Sequence, residues 1–214
     1  FDEVSGSVRS IQRDDSGMWV ASWGGGVSHR NWAGDWTHYR TGSGLPTDNI
    51  RQVVHDDSGV WAAAWDGEGV VHRNPDGVWS QWDESEHPVL GHNIWSVSRD
   101  DGGLWVGTQG GGAAHRSPQG LWTVWTTENS PLPSNDVRWI VHNERGLWLA
   151  AWEGGVAHVD GANAWTVYDT SNSALPDNRV HRIHISGAGL WAATEGGPGY
   201  LDNAVATQEV DLHA

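Results

Sequence analysis

IRQVVHDDSGVWAAAWDGEGVVHR, residues 50–73, is a phrase that the chain spells five times. The other copies are VRSIQRDDSGMWVASWGGGVSHR from Val8, IWSVSRDDGGLWVGTQGGGAAHR from Ile94, VRWIVHNERGLWLAAWEGGVAHV from Val137 and VHRIHISGAGLWAATEGGPGYLD from Val180. A Trp marks each copy at positions 19, 61, 105, 148 and 191, so the steps are 42, 44, 43 and 43, and five such steps account for the 214 residues. No copy carries enough apolar surface to fold alone, so neighbouring copies must bury one another.

Within the quoted copy, residues 50–55 are rich in β-branched side chains and read as a strand that ends at the turn Asp56-Asp57-Ser58-Gly59. A second strand over 60–65 is turned back by Gly67-Glu68-Gly69 into a third over 70–73, and Asn74-Pro75-Asp76-Gly77 leads to a fourth over 78–82. A longer polar loop, such as 41–49, joins one copy to the next. Apolar spacing of helical period is absent over the ten or so residues that a helix needs. The expectation is an all-β chain: a single five-bladed β-propeller of four-stranded antiparallel blades with a period of about 43 residues. The blades fall at about 8–49, 50–93, 94–136, 137–179 and 180–214. In the fourth strands the copies carry Trp36, Trp79, Trp122 and Trp165, but the last has Gln208 there, so the ring is expected to close near the termini.

The run Asn135-Asp136-Val137 followed by Gly146-Leu147-Trp148, the glycine turn after it and the W-T-x-Y of 36–39 and 165–168 resemble the two-component-regulator type of propeller repeat over nearly the whole chain. The resemblance implies the blade and names no ligand, because repeats of this kind serve sensor ectodomains and secreted modules alike. Five blades is fewer than that family usually packs and is similar in number to five-bladed lectin and glycosidase rings.

Acidic residues outnumber basic ones by 27 to 12, and the net charge of −15 argues against nucleic acid or an anionic membrane as partner. All twelve basic residues are Arg, a rigid forked donor suited to carboxylates, phosphates and sugar hydroxyls. The absence of Cys excludes disulfides and thiolate metal sites. The chain has no apolar run long enough to insert in a membrane, and its start at Phe1 reads as a processed segment of an exported parent. We therefore expect a secreted or extracytoplasmic monomer without cofactor or metal.

The five repeat Trp residues are expected to be buried between blades, each covering about 150–250 Å². The end of the second strand is different in kind, because it varies: Trp23, Trp65, Gln109, Trp152 and Glu195. The starts of the first strands lie on the same face and carry Arg9, Arg51, Trp95, Arg138 and His181. One face should therefore gather these ten residues around the channel mouth. Aromatic faces stack on sugars or cations, and Arg, Gln and Glu add directional hydrogen bonds. The alternative is that the Arg residues pair with acids of adjacent loops such as Asp48, Asp136 and Asp177. The best reading is a non-enzymatic propeller that binds a small-molecule or glycan ligand there. Its rivals are a sensor or scaffold that binds a protein or peptide, and a glycan-cleaving hydrolase or lyase using Asp136, Glu195 or His181.

His29, His72, His115 and His158 recur on third strands, but two strand spacings of about 4.8 Å separate them from the inner strand, too far for one metal to bridge blades. His55 and His142, with Arg13 and Arg99, mark the opposite end as a possible anion or pH-sensing site. The Asp-rich turns faintly resemble calcium loops and are read as plain turns.

Overall fold

The computed structural model describes residues 4–100, 102–186 and 189–202. They form nineteen strands in five antiparallel sheets, four of four strands and a last one of three. Each sheet is one sequence copy, with strands paired in chain order. In the second copy the strands are Ile50–Asp56, Gly59–Ala64, Val70–Arg73 and Trp79–Trp82. Within the long loop of that copy Pro88–Gly91 forms one 3-10 turn, which the sequence pattern did not suggest. Proline at its first position fixes φ and sacrifices an N–H that has no partner there anyway. The expected fourth strand of the last copy, around Gln208, lies outside the described residues, as does the expected closure of the ring.

The glycine that opens the second strand is required by backbone geometry. At Gly59 φ is +123°, and a Cβ would stand 2.0 Å from the carbonyl oxygen of Arg73. Gly17, Gly103 and Gly146 meet Arg30, Arg116 and Val159 in the same way at 2.0–2.1 Å. Only glycine allows the neighbouring strand to come this close.

Four apolar clusters join consecutive sheets, and each has the same composition. Trp19, Ala21 and Val27 of the first sheet meet Ile50, Val53 and Val60 of the second. Trp61, Ala63 and Val70 meet Ile94, Val97 and Leu104. Trp105 and Ala113 meet Val137, Ile140 and Leu147, and Trp148, Ala150 and Val156 meet Val180, Ile183 and Leu190. A Leu from each connecting loop, Leu45, Leu90, Leu132 or Leu175, is buried at these seams. Full burial of such a side chain contributes about 1.5–3 kcal/mol. The sheets therefore hold together through their shared faces, as the repeat requires.

The fifth Trp departs from the expected pattern. Trp19, Trp61 and Trp148 are 5–7% exposed, whereas Trp191 is 50% exposed. On the other side of the array, Val8 and Ile11 are 50% and 59% exposed, although their counterparts Ile50, Val53, Ile94 and Val97 are buried. Both faces belong to the seam between the fifth and first sheets, which among the described residues do not pack against each other as consecutive sheets do.

Candidate functional site

The first strand of each sheet packs against the first strand of the next, so these strands line the axis of the array. In every sheet the pairing of the first two strands slips by one residue at the same point. Val8 pairs with Ser22 but Ser10 with Ala21, and Ile50 with Ala64 but Gln52 with Ala63. The third, fourth and fifth sheets repeat the slip between Ile94 and Ser96, Val137 and Trp139, and Val180 and Arg182. The residues passed over are Arg9, Arg51, Trp95, Arg138 and His181. A bulge leaves one residue out of the ladder and re-aims its side chain. These five side chains, one from each sheet, line a single pocket of about 240 Å³ together with Trp139 and Arg182.

The pocket wall is a stack of indole and guanidinium planes. The guanidinium of Arg51 lies 4.1 Å from the ring centre of Trp95, 5.1 Å from Trp65 and 5.8 Å from Trp23. That of Arg138 lies 3.3 Å from Trp152 and 4.7 Å from Trp95, that of Arg9 5.7 Å from Trp23, and that of Arg182 4.0 Å from Trp139. Edge contacts tie Trp23 to Trp65 and Trp65 to Trp95, at 5.5 and 4.8 Å between ring centres. Each such cation–π contact is worth about 0.5–2 kcal/mol, more as water is excluded.

Burial, with Arg9 and Arg138 close by, lowers the Arg51 guanidinium to about 10. Burial also lowers Arg138 and Arg182 and raises the Asp136 carboxyl, even though Arg138 stands 3.6 Å from it. Arg138 donates to His181 Nδ1 at 3.1 Å, and His181 Nε2 lies 2.7 Å from Glu195 Oε1. Because a guanidinium can only donate, Nδ1 is the acceptor and the ring proton sits on Nε2, donated to Glu195. Both nitrogens of His181 are thus occupied.

Of the ten residues expected at the mouth, Arg9, Arg51, Trp95, Arg138 and His181 line the pocket. Trp23, Trp65 and Trp152 stand behind them as platforms for Arg, and Glu195 holds His181. Gln109 does not line it, because its Oε1 accepts from Asn93 Nδ2 at 2.9 Å. Trp139 and Arg182 were missed. Their position holds the smaller, uncharged and buried Ser10, Gln52 and Ser96 in the first three copies, so the same variation that marked the mouth marks them too. Of the acids weighed as partners for Arg, Asp136 pairs with Arg138, while Asp48 accepts from Thr41 and Asp177 pairs with Arg179.

The opposite end is not an open anion site. His55 lies 3.3 Å from Asp14, Arg99 2.8 Å from Asp56 and His142 3.0 Å from Asp100, each pair linking consecutive sheets. Arg13 is stacked on Trp32, 4.9 Å from its ring centre. The basic side chains there are engaged by acids or by an indole, and His55 and His142 line two separate pockets and not a shared one. The turn acids also serve the repeat Trp residues: Trp19 and Trp105 donate their indole N–H to Asp14 and Asp100 at 2.6 and 2.8 Å. His29, His72, His115 and His158 stack on the repeat Trp of their own sheets, with ring centres 3.9–4.2 Å apart. Tyr39, Trp82, Trp125 and Tyr168 also stack on those Trp residues, at 5.1–6.2 Å. These rings are therefore committed to packing inside the sheets.

Several solved structures share this arrangement of sheets. The extracellular domain of a putative hybrid two-component system from B. thetaiotaomicron, BT4673, superposes with a TM-score of 0.71 at 17% identity over 91% of this chain. The chain spans only 27% of that domain's length. An inactive H270A form of virginiamycin B lyase from Staphylococcus aureus, solved with quinupristin, matches with a TM-score of 0.69 at 14% identity over 94% of this chain and 72% of its own. YCF48 bound to D1 peptide matches with a TM-score of 0.64 at 18% identity, over 94% of this chain and 64% of its own. The fold is that of propeller proteins. No protein-family model matches the chain, and no curated protein matches it in sequence. Among the described residues no helix is long and apolar enough to cross a membrane.

Proposed function

We propose that the protein is a five-bladed, non-enzymatic binding propeller, acting as a monomer outside the cytoplasm, that takes a small carbohydrate ligand at the Arg- and Trp-lined mouth. The observation that carries this reading is the coincidence of five bulges, each of which aims a different repeat's side chain into one pocket. A structural repeat alone would have no use for Arg, Arg, Trp, Arg and His at equivalent places. The extracellular domain among the similar structures supports the location. Against a hydrolase or lyase, the three candidates are engaged in the free protein: Asp136 is paired with Arg138, and His181 accepts from Arg138 and is held by Glu195.

The test is a glycan array followed by calorimetry on the best-bound glycan. Arg51→Ala removes a charge-assisted donor and the clamp on three indoles, a loss of about 1–3 kcal/mol, so affinity should fall about tenfold or more. Trp79→Ala, on an outer strand, should leave it unchanged. Binding lost in Trp79→Ala but kept in Arg51→Ala would place the site at the rim. A peptide bound at the mouth in place of any glycan would favour the scaffold reading, for which the peptide complex of a similar propeller is the precedent.

A further inference from the structure

We propose that the group recognised in the mouth is an oxyanion, a carboxylate or sulfate carried by an acidic sugar, held by Arg9, Arg51, Arg138 and Arg182. This inference rests on the reading of the mouth as the binding site and specifies what binds there. Four guanidinium groups line one pocket in a chain whose net charge is −15. Their acidic neighbours do not cancel them. Asp136 pairs with Arg138, and Glu195 and Glu153 also act on Arg138 as opposite charges, but among the described residues no carboxylate lies within ion-pair distance of Arg9, Arg51 or Arg182. Arg9 and Arg138 both act on Arg51 as like charges. Arg9, Arg51 and Arg182 gathered beside Arg138 without ion-pair partners of their own are unfavourable in the free protein, and an anion between them would reduce that penalty.

The stacking geometry selects the same chemistry. Guanidinium groups lie over the indole rings: Arg51 and Arg138 over Trp95, and Arg182 over Trp139. Those are the two indoles that line the pocket. A neutral sugar stacks on a bare aromatic face, and each of these two indoles already has at least one guanidinium over it. A guanidinium that stacks by its face keeps its N–H edge for in-plane hydrogen bonds, the geometry that grips an oxyanion with two parallel bonds. Arg138 Nε is moreover buried with no hydrogen-bond partner. The indoles thus act as platforms that hold the Arg edges in place, and the Arg edges make the contact.

The experiment titrates the intact chain with lactose, sialyllactose and sulfated lactose by calorimetry, and with inorganic sulfate by thermal shift. Both acidic sugars should bind at least about tenfold more tightly than lactose, a difference of about 1.4 kcal/mol. The gap should close in Arg51→Gln and narrow with added salt, because the interaction is charge-assisted. Should Arg51→Gln fail to fold, Arg182→Gln, which stacks on Trp139 alone, supplies the same readout. Equal affinity for lactose, lost in Arg51→Gln, would overturn the oxyanion and leave the binding mouth standing. Acidic sugars bound equally well by Arg51→Gln and Arg182→Gln would overturn both. A sulfate-induced rise in Tm that requires Arg51, with no sugar bound, would uphold the oxyanion and sink the carbohydrate reading. No response to sulfate or to either acidic sugar would overturn the oxyanion.

Discussion

Replacing Trp61 by Ala and, separately, Trp191 by Ala compares two residues that are equivalent in sequence and unlike in surroundings. Trp61 is 7% exposed; its ring centre stands 4.0 Å from that of His72 and 5.1 Å from that of Trp82, and its indole N–H donates to Ser58 at 3.1 Å. Deleting it removes almost the whole buried area and leaves a hole lined by rigid rings, so the cost belongs in the upper half of the range of about 3–5 kcal/mol. Trp191 is 50% exposed and packs on Tyr200 at 4.8 Å. About 100 Å² of it is covered, which at about 25 cal/mol per Å² gives about 2.5 kcal/mol as an upper bound. The void also opens to water, so it adds little further cost. Urea unfolding followed by circular dichroism, with slopes compared to confirm a common transition, should rank Trp61→Ala well above Trp191→Ala. Equal costs, or a greater cost for Trp191, would refute the reasoning, since that Trp would then be packed as the others are.

The remaining predictions concern the turns and the titrating groups. Gly59→Ala should unfold the chain or cost more than about 2 kcal/mol, because its Cβ would meet the Arg73 carbonyl at 2.0 Å and no side-chain motion relieves a backbone clash; a loss under about 0.5 kcal/mol in urea would show the strand pairing to be wrong. Burial holds His29, His72 and His115 below the ordinary imidazole value. The unfolded chain therefore binds more protons, so stability is complete above about pH 6.5 and declines as pH falls from there toward the lowered values. Tm should fall on acidification through that window and fall less in His72→Gln, and a Tm that rises there would contradict the burial. Asp14 and Asp56 lie on the other side: burial opposes their charge, but bonds from Ser16 with Trp19, and from Ser58 with Arg99, outweigh it and lower both carboxyls. Their contribution is present above about pH 3.9 and is lost as pH drops through their lowered values, which should appear as a second decline.

The period, the strands and the turns were legible because they are local. The third strand Val70–Arg73 falls at the expected residues, since glycine turns and β-branched side chains fix it without reference to other copies. The mouth was half legible. Variation at the second-strand ends pointed to one face, and the antiparallel return of the strands placed Arg9, Arg51, Trp95, Arg138 and His181 on it, yet the bulge that aims them is a property of strand register, which no single strand encodes. The covering of Trp95 by Arg51 and Arg138 depends on the spacing between sheets, so sequence alone left the indoles as free sugar platforms. Trp191 shows the same limit at the seams, because its burial is decided by a neighbouring sheet and not by its own repeat.

The central claim is that the ligand sits among the bulge residues, and indole N–H resonances report on it directly. With signals assigned through single Trp→Phe variants, titration with the best-bound glycan should shift Trp95 and Trp139, which line the pocket, and leave Trp36, Trp79, Trp122 and Trp165 on the outer strands in place. Shifts confined to the outer four would put the ligand on the rim and contradict a binding site at the mouth.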